Sequence, residues 1–346
     1  MNVLVMAPHL GTDLDWVAAV DPSVRVLDGN AAFLADLADL GIGRVDPPDH
    51  APAPAARAAL LADADVLLVG YPLPVALAAR APRLAWVHHT QAGVSNLLGS
   101  DLWSADVLLT SSRGAVAAEA IAEYAVAGVL AFARGLLTAA RRPLGEATRR
   151  HDYAASRPVD GATLGVIGLG GIGREVARLG RALGMRVVAT RGSIQQPVRD
   201  AEGVDLLLPA ADLHRLATES DFVVCCAQLT PATTRLLDDA FFAALRPGAV
   251  LVNVARGEEI DEQALLRAVD AGRLGGALLD VYDGEMVGRP PRPELTSTPS
   301  IVLTPHVSGA GDRTGGAPVR ALFADNLRRY LAGQPLRNLV ERDRGY

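Results

Sequence analysis

Thr163-Leu164-Gly165-Val166-Ile167-Gly168-Leu169-Gly170-Gly171-Ile172-Gly173-Arg174 is the stretch from which the rest of the chain is read. A short β-branched run leads directly into G-x-G-x-x-G, and Arg174–Leu183 then follows with helical spacing. Strand, glycine turn and helix in that order suit dinucleotide binding. Gly168 allows the tight turn, Gly170 lets a pyrophosphate approach the backbone, and Gly173 lets helix and strand pack closely. The helix N-terminus favours the anion. Gly168, Gly170, Gly171, Ile172 and Gly173 are therefore cofactor-binding candidates. The carboxylate that usually closes the second strand about 20 residues on, to bind the ribose hydroxyls, is missing. That strand ends Ala189-Thr190-Arg191-Gly192-Ser193. Arg191 and Ser193 become candidates to hold a 2′-phosphate, so NADP is expected in preference to NAD. The plainer alternative is an Arg stacked on adenine without selectivity.

Working outward, strands are expected at Arg186–Ala189, Asp205–Leu208, Phe222–Cys226, Ala249–Asn253, Ala277–Val281 and Ile301–Thr304, which with Thr163–Ile167 complete a nucleotide-binding sheet. Upstream lies a second series: Val3–Ala7, Val24–Asp28, Val66–Val69, Leu84–His88 and Val107–Thr110. Five strands alternating with alanine-rich helical segments suit a flavodoxin-like domain. A long helix is expected from Gly114 to Leu137, ended by Arg141-Arg142-Pro143, and a last one from Pro318 to Leu331. The four prolines between Asp46 and Pro54 mark a loop within a crossover. The last forty residues are too few for a domain and are expected to pack on the first one.

Length and composition agree with two globular α/β domains, since the chain has 346 residues, half of them hydrophobic and 21% charged. Net charge is −6 and the basic residues are scattered, which disfavours a nucleic-acid partner. All 33 cationic side chains are Arg. Without lysine, Schiff-base catalysis, pyridoxal-phosphate anchoring and a P-loop are excluded. Cys225 and Cys226 are adjacent in an apolar run, so they read as small strand residues with neither a disulfide framework nor zinc-ligand spacing. The N-terminus reads as a strand, and the longest apolar stretch, Tyr124–Ala133, is far short of the ~20 residues that span a bilayer. A cytoplasmic protein is expected.

Three polar residues follow three successive strands: Arg256 after Ala249–Asn253, Glu285 after Ala277–Val281, and His306 after Ile301–Thr304. In an open parallel sheet, ligands bind beyond the carboxyl ends of the strands. Singly these would be a surface Arg, a loop Glu and a capping His. Together, downstream of a dinucleotide turn, they suggest a catalytic set.

The blocks Leu251-Val252-Asn253-Val254-Ala255-Arg256-Gly257 with Asp261, Asp280-Val281-Tyr282-Asp283-Gly284-Glu285, and Leu303-Thr304-Pro305-His306-Val307-Ser308-Gly309 add to the glycine turn. Upstream, Gln91-Ala92-Gly93-Val94-Ser95-Asn96 and Ile121-Ala122-Glu123-Tyr124 extend the match over nearly the whole chain. The chain resembles the D-isomer-specific 2-hydroxyacid dehydrogenases, in particular the glyoxylate and hydroxypyruvate reductases. That resemblance implies two Rossmann-like domains: a discontinuous flavodoxin-like substrate domain (1–112 with 307–346), a doubly wound NAD(P)-binding domain (113–306), and a homodimer. It also implies NAD(P)H-dependent reduction of a small 2-keto acid to the D-2-hydroxy acid, or the reverse oxidation. His306 would be the acid/base, paired with Glu285, and Arg256 would grip the substrate carboxylate through its planar fork. The backbone of Gly93 and Val94 would complete the carboxylate cradle. Asp280 would take the nicotinamide carboxamide, and Thr230 and Ala255, with Arg256 and His306, would line the cofactor. His88 and His89 read as structural.

Two features depart from the family pattern or lack an account: Met286 stands where the family usually has Pro, and the proline-rich Arg289–Pro293 has no evident purpose. A formate dehydrogenase would carry Gln as the partner of His306, and a phosphite dehydrogenase would need a Lys. The loop Gly70-Tyr71-Pro72-Leu73-Pro74 offers no cation to a substrate phosphate, which disfavours phosphoglycerate. The rival class is a cofactor-sensing module of the same fold without turnover.

Overall fold

The computed structural model describes residues 1–40, 48–115, 118–140, 156–310 and 314–345. Part of the expected loop Asp46–Pro54, and the expected stop at Arg141-Arg142-Pro143, lie outside the described residues. The chain divides into two compact units, Met1–Val116 with Asp312–Tyr346, and Ala117–Gly311.

In the first unit, β1 (Asn2–Met6), β2 (Arg25–Asp28), β3 (Val66–Val69), β4 (Trp86–His89) and β5 (Leu108–Ser111) form a five-stranded sheet ordered β2-β1-β3-β4-β5, with every pairing parallel. This is the flavodoxin-like order. Both faces are covered, so β3 and β4 are buried at every position. The helix Ala317–Leu331 returns to this sheet and stacks Phe323 and Tyr330 on Trp86, with ring centroids 5.3 and 5.4 Å away. The tail beyond it continues to β5, where Val340 N donates to Leu109 O.

The second unit holds eight strands: β6 (Thr163–Ile167), β7 (Arg186–Arg191), β8 (Val198–Ala201), β9 (Val204–Pro209), β10 (Phe222–Cys225), β11 (Ala249–Asn253), β12 (Leu274–Leu279) and β13 (Ile301–Leu303). Their order is β13-β12-β11-β10-β6-β7-β9-β8. The core of that order is the doubly wound six-strand sheet, whose direction of winding reverses between β6 and β10. The glycine turn follows β6, so it stands at that reversal.

Two expectations need correction. The helix expected over Gly114–Leu137 is two helices, Ala118–Ala133 and Leu136–Ala140, because Gly135 between them has φ +62° and ends the first in the left-handed region. The antiparallel edge strand β8 was not expected, since Val198-Arg199-Asp200-Ala201 is largely exposed and lacks a strand's alternation.

Candidate active site

Each glycine of the turn has its own reason for being glycine. Gly168 has φ +91°, and a Cβ there would lie 2.7 Å from Ala227 Cα. One at Gly173 would lie 2.2 Å from Gly168 O, so the helix Gly171–Ala182 could not approach the turn. Gly170 differs, because a Cβ would meet nothing within 4 Å. The space above it is open, and Gly170 is also the N-cap of that helix without any side chain to satisfy its first N–H groups. An anion can reach those donors directly, so the turn fits a dinucleotide pyrophosphate. The end of β7 is tied to the turn through Leu169 N to Thr190 O at 2.9 Å.

Arg191 therefore emerges beside the glycines, but it is engaged. Its Nη1 donates to both carboxylate oxygens of Glu202 at 2.6 and 2.7 Å, and Arg174 from the helix binds the same carboxylate. Hydrogen bonding from Arg174, opposed by slight desolvation and aided by the charge of Arg191, holds the Glu202 carboxyl below its usual range. Glu202 (φ +52°) and Gly203 (φ +81°) form the two-residue turn joining β8 to β9. A carboxylate therefore lies against Arg191 from a hairpin that the sequence reading overlooked. Ser193 is exposed in the following loop. Thr230, after β10, is buried and closes a turn in which its N–H donates to Thr233 Oγ1 at 2.7 Å.

Beyond β11 the chain is clamped by buried Asn253, which accepts from Ala255 N at 2.9 Å and donates to Arg256 O at 2.8 Å. Half-buried Arg256 follows in extended backbone, its Nη1 donating to Ala255 O. Gly257 is pressed against the next loop, where a Cβ would lie 1.9 Å from Tyr282 C. Only glycine lets these two loops meet. Glu262 Oε1 accepts from Asp283 N at 2.9 Å, Arg292 lies 3.0 Å from Glu262 Oε2, and Arg289 pairs with Asp283 at 3.2 Å. The stretch Arg289–Pro293 now has a purpose. Its two arginines both bear on Asp283 in the loop that carries Glu285, Arg289 directly and Arg292 through Glu262.

Glu285 in turn meets His306, Oε1 to Nδ1, at 3.0 Å, with the imidazole 38% exposed. His306 has φ +54°, a left-handed conformation unusual for a non-glycine residue. Asp280, wholly buried, imposes it. The Asp280 carbonyl accepts from His306 N at 3.0 Å, and its carboxylate accepts from Thr304 Oγ1 (2.7 Å), Val307 N (2.9 Å) and Ser308 N (2.8 Å). Tyr124 extends the chain by donating to Thr304 Oγ1 at 2.6 Å. Asn253, Thr304 and Tyr124 escaped the sequence reading as individuals, although all lie in blocks that carried the resemblance.

Gly93 and Val94 belong to the first unit, in the loop after β4. That loop is secured by Asn96 Nδ2, 2.9 Å from His89 Nε2. His88 is fully buried between Thr110 Oγ1 (2.8 Å) and Ser112 Oγ (3.0 Å). Burial, reinforced by the neighbouring His89, pushes its pKa down to about 3. At neutral pH it is an uncharged part of the core. Among the described residues, no helix is long and apolar enough to cross a membrane.

Comparison with known proteins converges on one family. The model described as "D-isomer specific 2-hydroxyacid dehydrogenase, NAD binding domain" matches residues 126–308. A glyoxylate reductase of Thermococcus onnurineus is 31% identical, over 76% of this chain and 78% of its own length. A D-3-phosphoglycerate dehydrogenase of Synechocystis is 34% identical over 64% of this chain and 38% of its own length. The chain spans about half or less of the phosphoglycerate dehydrogenases that head its matches. A crystal structure of a D-isomer specific 2-hydroxyacid dehydrogenase from Xanthobacter autotrophicus, in complex with NADPH and MES, superposes with TM-score 0.73 at 26% identity, covering 100% of this chain and 99% of that one.

Proposed function

The chain belongs to the D-isomer-specific 2-hydroxyacid dehydrogenase family, and on that premise we propose that it interconverts a small 2-keto acid and the D-2-hydroxy acid, with NADP(H) as preferred cofactor. The observation that carries this reading is the Glu285–His306 contact, made beyond neighbouring strands of a sheet whose glycine turn fits a dinucleotide. The bound nicotinamide would supply the hydride that C2 accepts.

The protein does the rest. With Nδ1–H directed at the Glu285 carboxylate, the ring acts in reduction as the imidazolium, whose Nε2–H is given to the carbonyl oxygen, leaving the neutral ring protonated on Nδ1. Arg256 holds the substrate carboxylate and polarises the carbonyl, a task suited to a planar fork of donors. The family resemblance assigns the backbone of Gly93 and Val94 to carboxylate binding. Asp280, besides setting the His306 loop, is the acceptor assigned to the nicotinamide carboxamide. Thr230 and Ala255 line the cofactor, and Arg191 with Ser193 contacts the 2′-phosphate. The working assembly is a homodimer, which sedimentation analysis checks.

The deciding experiment is a steady-state screen of glyoxylate, hydroxypyruvate and modest apolar 2-keto acids with NADPH and NADH in parallel. Turnover with NADPH and formation of the D-hydroxy acid are expected. Cofactor binding without turnover on any keto acid would overturn the proposal.

A further inference from the structure

The turn that presents Arg256 also contains a carboxyl with no evident reason to be there. Glu259 is wholly buried, in the short helical turn Gly257–Glu259 that Arg256 caps. It stands three residues beyond the capping residue, the position from which an acid side chain can reach back toward the cap. Its Oε2 accepts from Cys225 Sγ of β10 at 3.4 Å, while Oε1 has no partner. An apolar side chain would fill this space without desolvating a carboxyl. A charge-capable group instead sits one turn from the residue that binds the substrate anion.

We propose that Glu259 is a positioning residue for Arg256, and that its ionisation sets how strongly Arg256 attracts the substrate carboxylate. This rests on Arg256 being the carboxylate grip. Protonated, Glu259 leaves the guanidinium charge undiminished. Ionised, it places a negative charge one turn from Arg256 and repels the arriving anion. Coupling is reciprocal, so a bound keto acid raises the proton affinity of Glu259, and reduction, which consumes a proton, binds its substrate best when Glu259 is protonated. Burial, opposed by the Cys225 and Arg256 contacts and aided by Glu258, pushes this carboxyl up to about 7. The other titratable and charged groups facing it are Cys225 and Cys226 on β10, both thiols pushed up by burial, and Arg256 and Glu258 in its own turn.

The test is the pH dependence of KM for glyoxylate at saturating NADPH, in wild type, Glu259→Gln and Arg256→Lys. The ratio of wild-type to Glu259→Gln KM should climb roughly tenfold between pH 6 and 8.5, the order expected when a nearby carboxylate gains its charge. A flat ratio overturns the proposal. If Arg256→Lys leaves KM unchanged at every pH, the carboxylate grip itself is wrong, which is a separate failure. Infrared titration of the wild type is independent of whether the variant folds. A protonated-carboxyl band should bleach with a midpoint near pH 7, and the midpoint should rise when oxamate binds to the NADPH complex. Absence of that band at pH 6, or a midpoint that oxamate does not move, refutes the coupling.

Discussion

Asp280 supports the left-handed backbone of His306 with four acceptor contacts to the segment Thr304–Ser308, and such a conformation costs on the order of 1 kcal/mol for a residue with a Cβ. The strain aims the imidazole back at Glu285. Removing the ring should therefore abolish proton transfer and leave the cofactor turn intact: His306→Ala is expected to lower kcat by about 10²–10⁴ while NADPH still binds by fluorescence titration. A folded variant with near-wild-type kcat would remove His306 from the mechanism. Arg256→Lys keeps the charge but loses the fork, so KM for the keto acid should rise as kcat falls; unchanged kinetics would refute the bidentate role. Arg256, Glu285 and His306 were legible in the sequence because each stands just past an apolar strand. Glu259 was not, because Glu258-Glu259 after a glycine reads as a solvated helix start, and only packing against Cys225 reveals a buried acid.

At the level of elements, the hairpin β8–β9 alters the account of cofactor choice. From its place at the end of β7, Arg191 is expected to pair with a 2′-phosphate or to stack on adenine, and Glu202 on the hairpin turn already binds it. A phosphate must compete with that carboxylate for the guanidinium. Arg191→Ala should cost about 10- to 150-fold in kcat/KM with NADPH, the worth of a charge-assisted contact, and leave NADH nearly unaffected. Equal losses with both cofactors would reduce Arg191 to an adenine platform. Glu202→Gln should act oppositely, tightening 2′,5′-ADP by about three- to tenfold in calorimetric titration with little change for ADP. No gain would mean that the pair does not restrain Arg191. The nucleotide sheet was readable strand by strand from buried apolar runs. The hairpin escaped because Val198–Ala201 is exposed and its pairing depends on a Glu-Gly turn rather than a hydrophobic pattern.

Across the whole molecule, two buried titratable groups pull stability in opposite directions with pH. His88, in the first unit, titrates at about 3 when folded and near 6.5 when unfolded. The unfolded chain binds the extra proton, so stability from this group is complete above pH 6.5 and falls as the solution is acidified, by about 2 kcal/mol at pH 5. Glu259, in the second unit, is raised from 4.5 to about 7. Here the folded state holds the extra proton, and stability falls by about 3 kcal/mol as pH rises from 4.5 to 7. Trp16, Trp86 and Trp103, which are all the tryptophans of the chain, lie in the first unit, so their fluorescence reports on that unit. Its melting temperature should rise between pH 5 and 7, while a second calorimetric transition falls. Parallel movement of the two would contradict this. Which residues complete the first unit also has a consequence for biosynthesis. Phe323 reaches Trp86 only after the second unit has been translated, and at roughly 5–20 residues per second that wait is on the order of 10–50 s. During this time one face of the first sheet lacks its cover on the ribosome, and nascent chains should engage chaperones there rather than at the nucleotide fold.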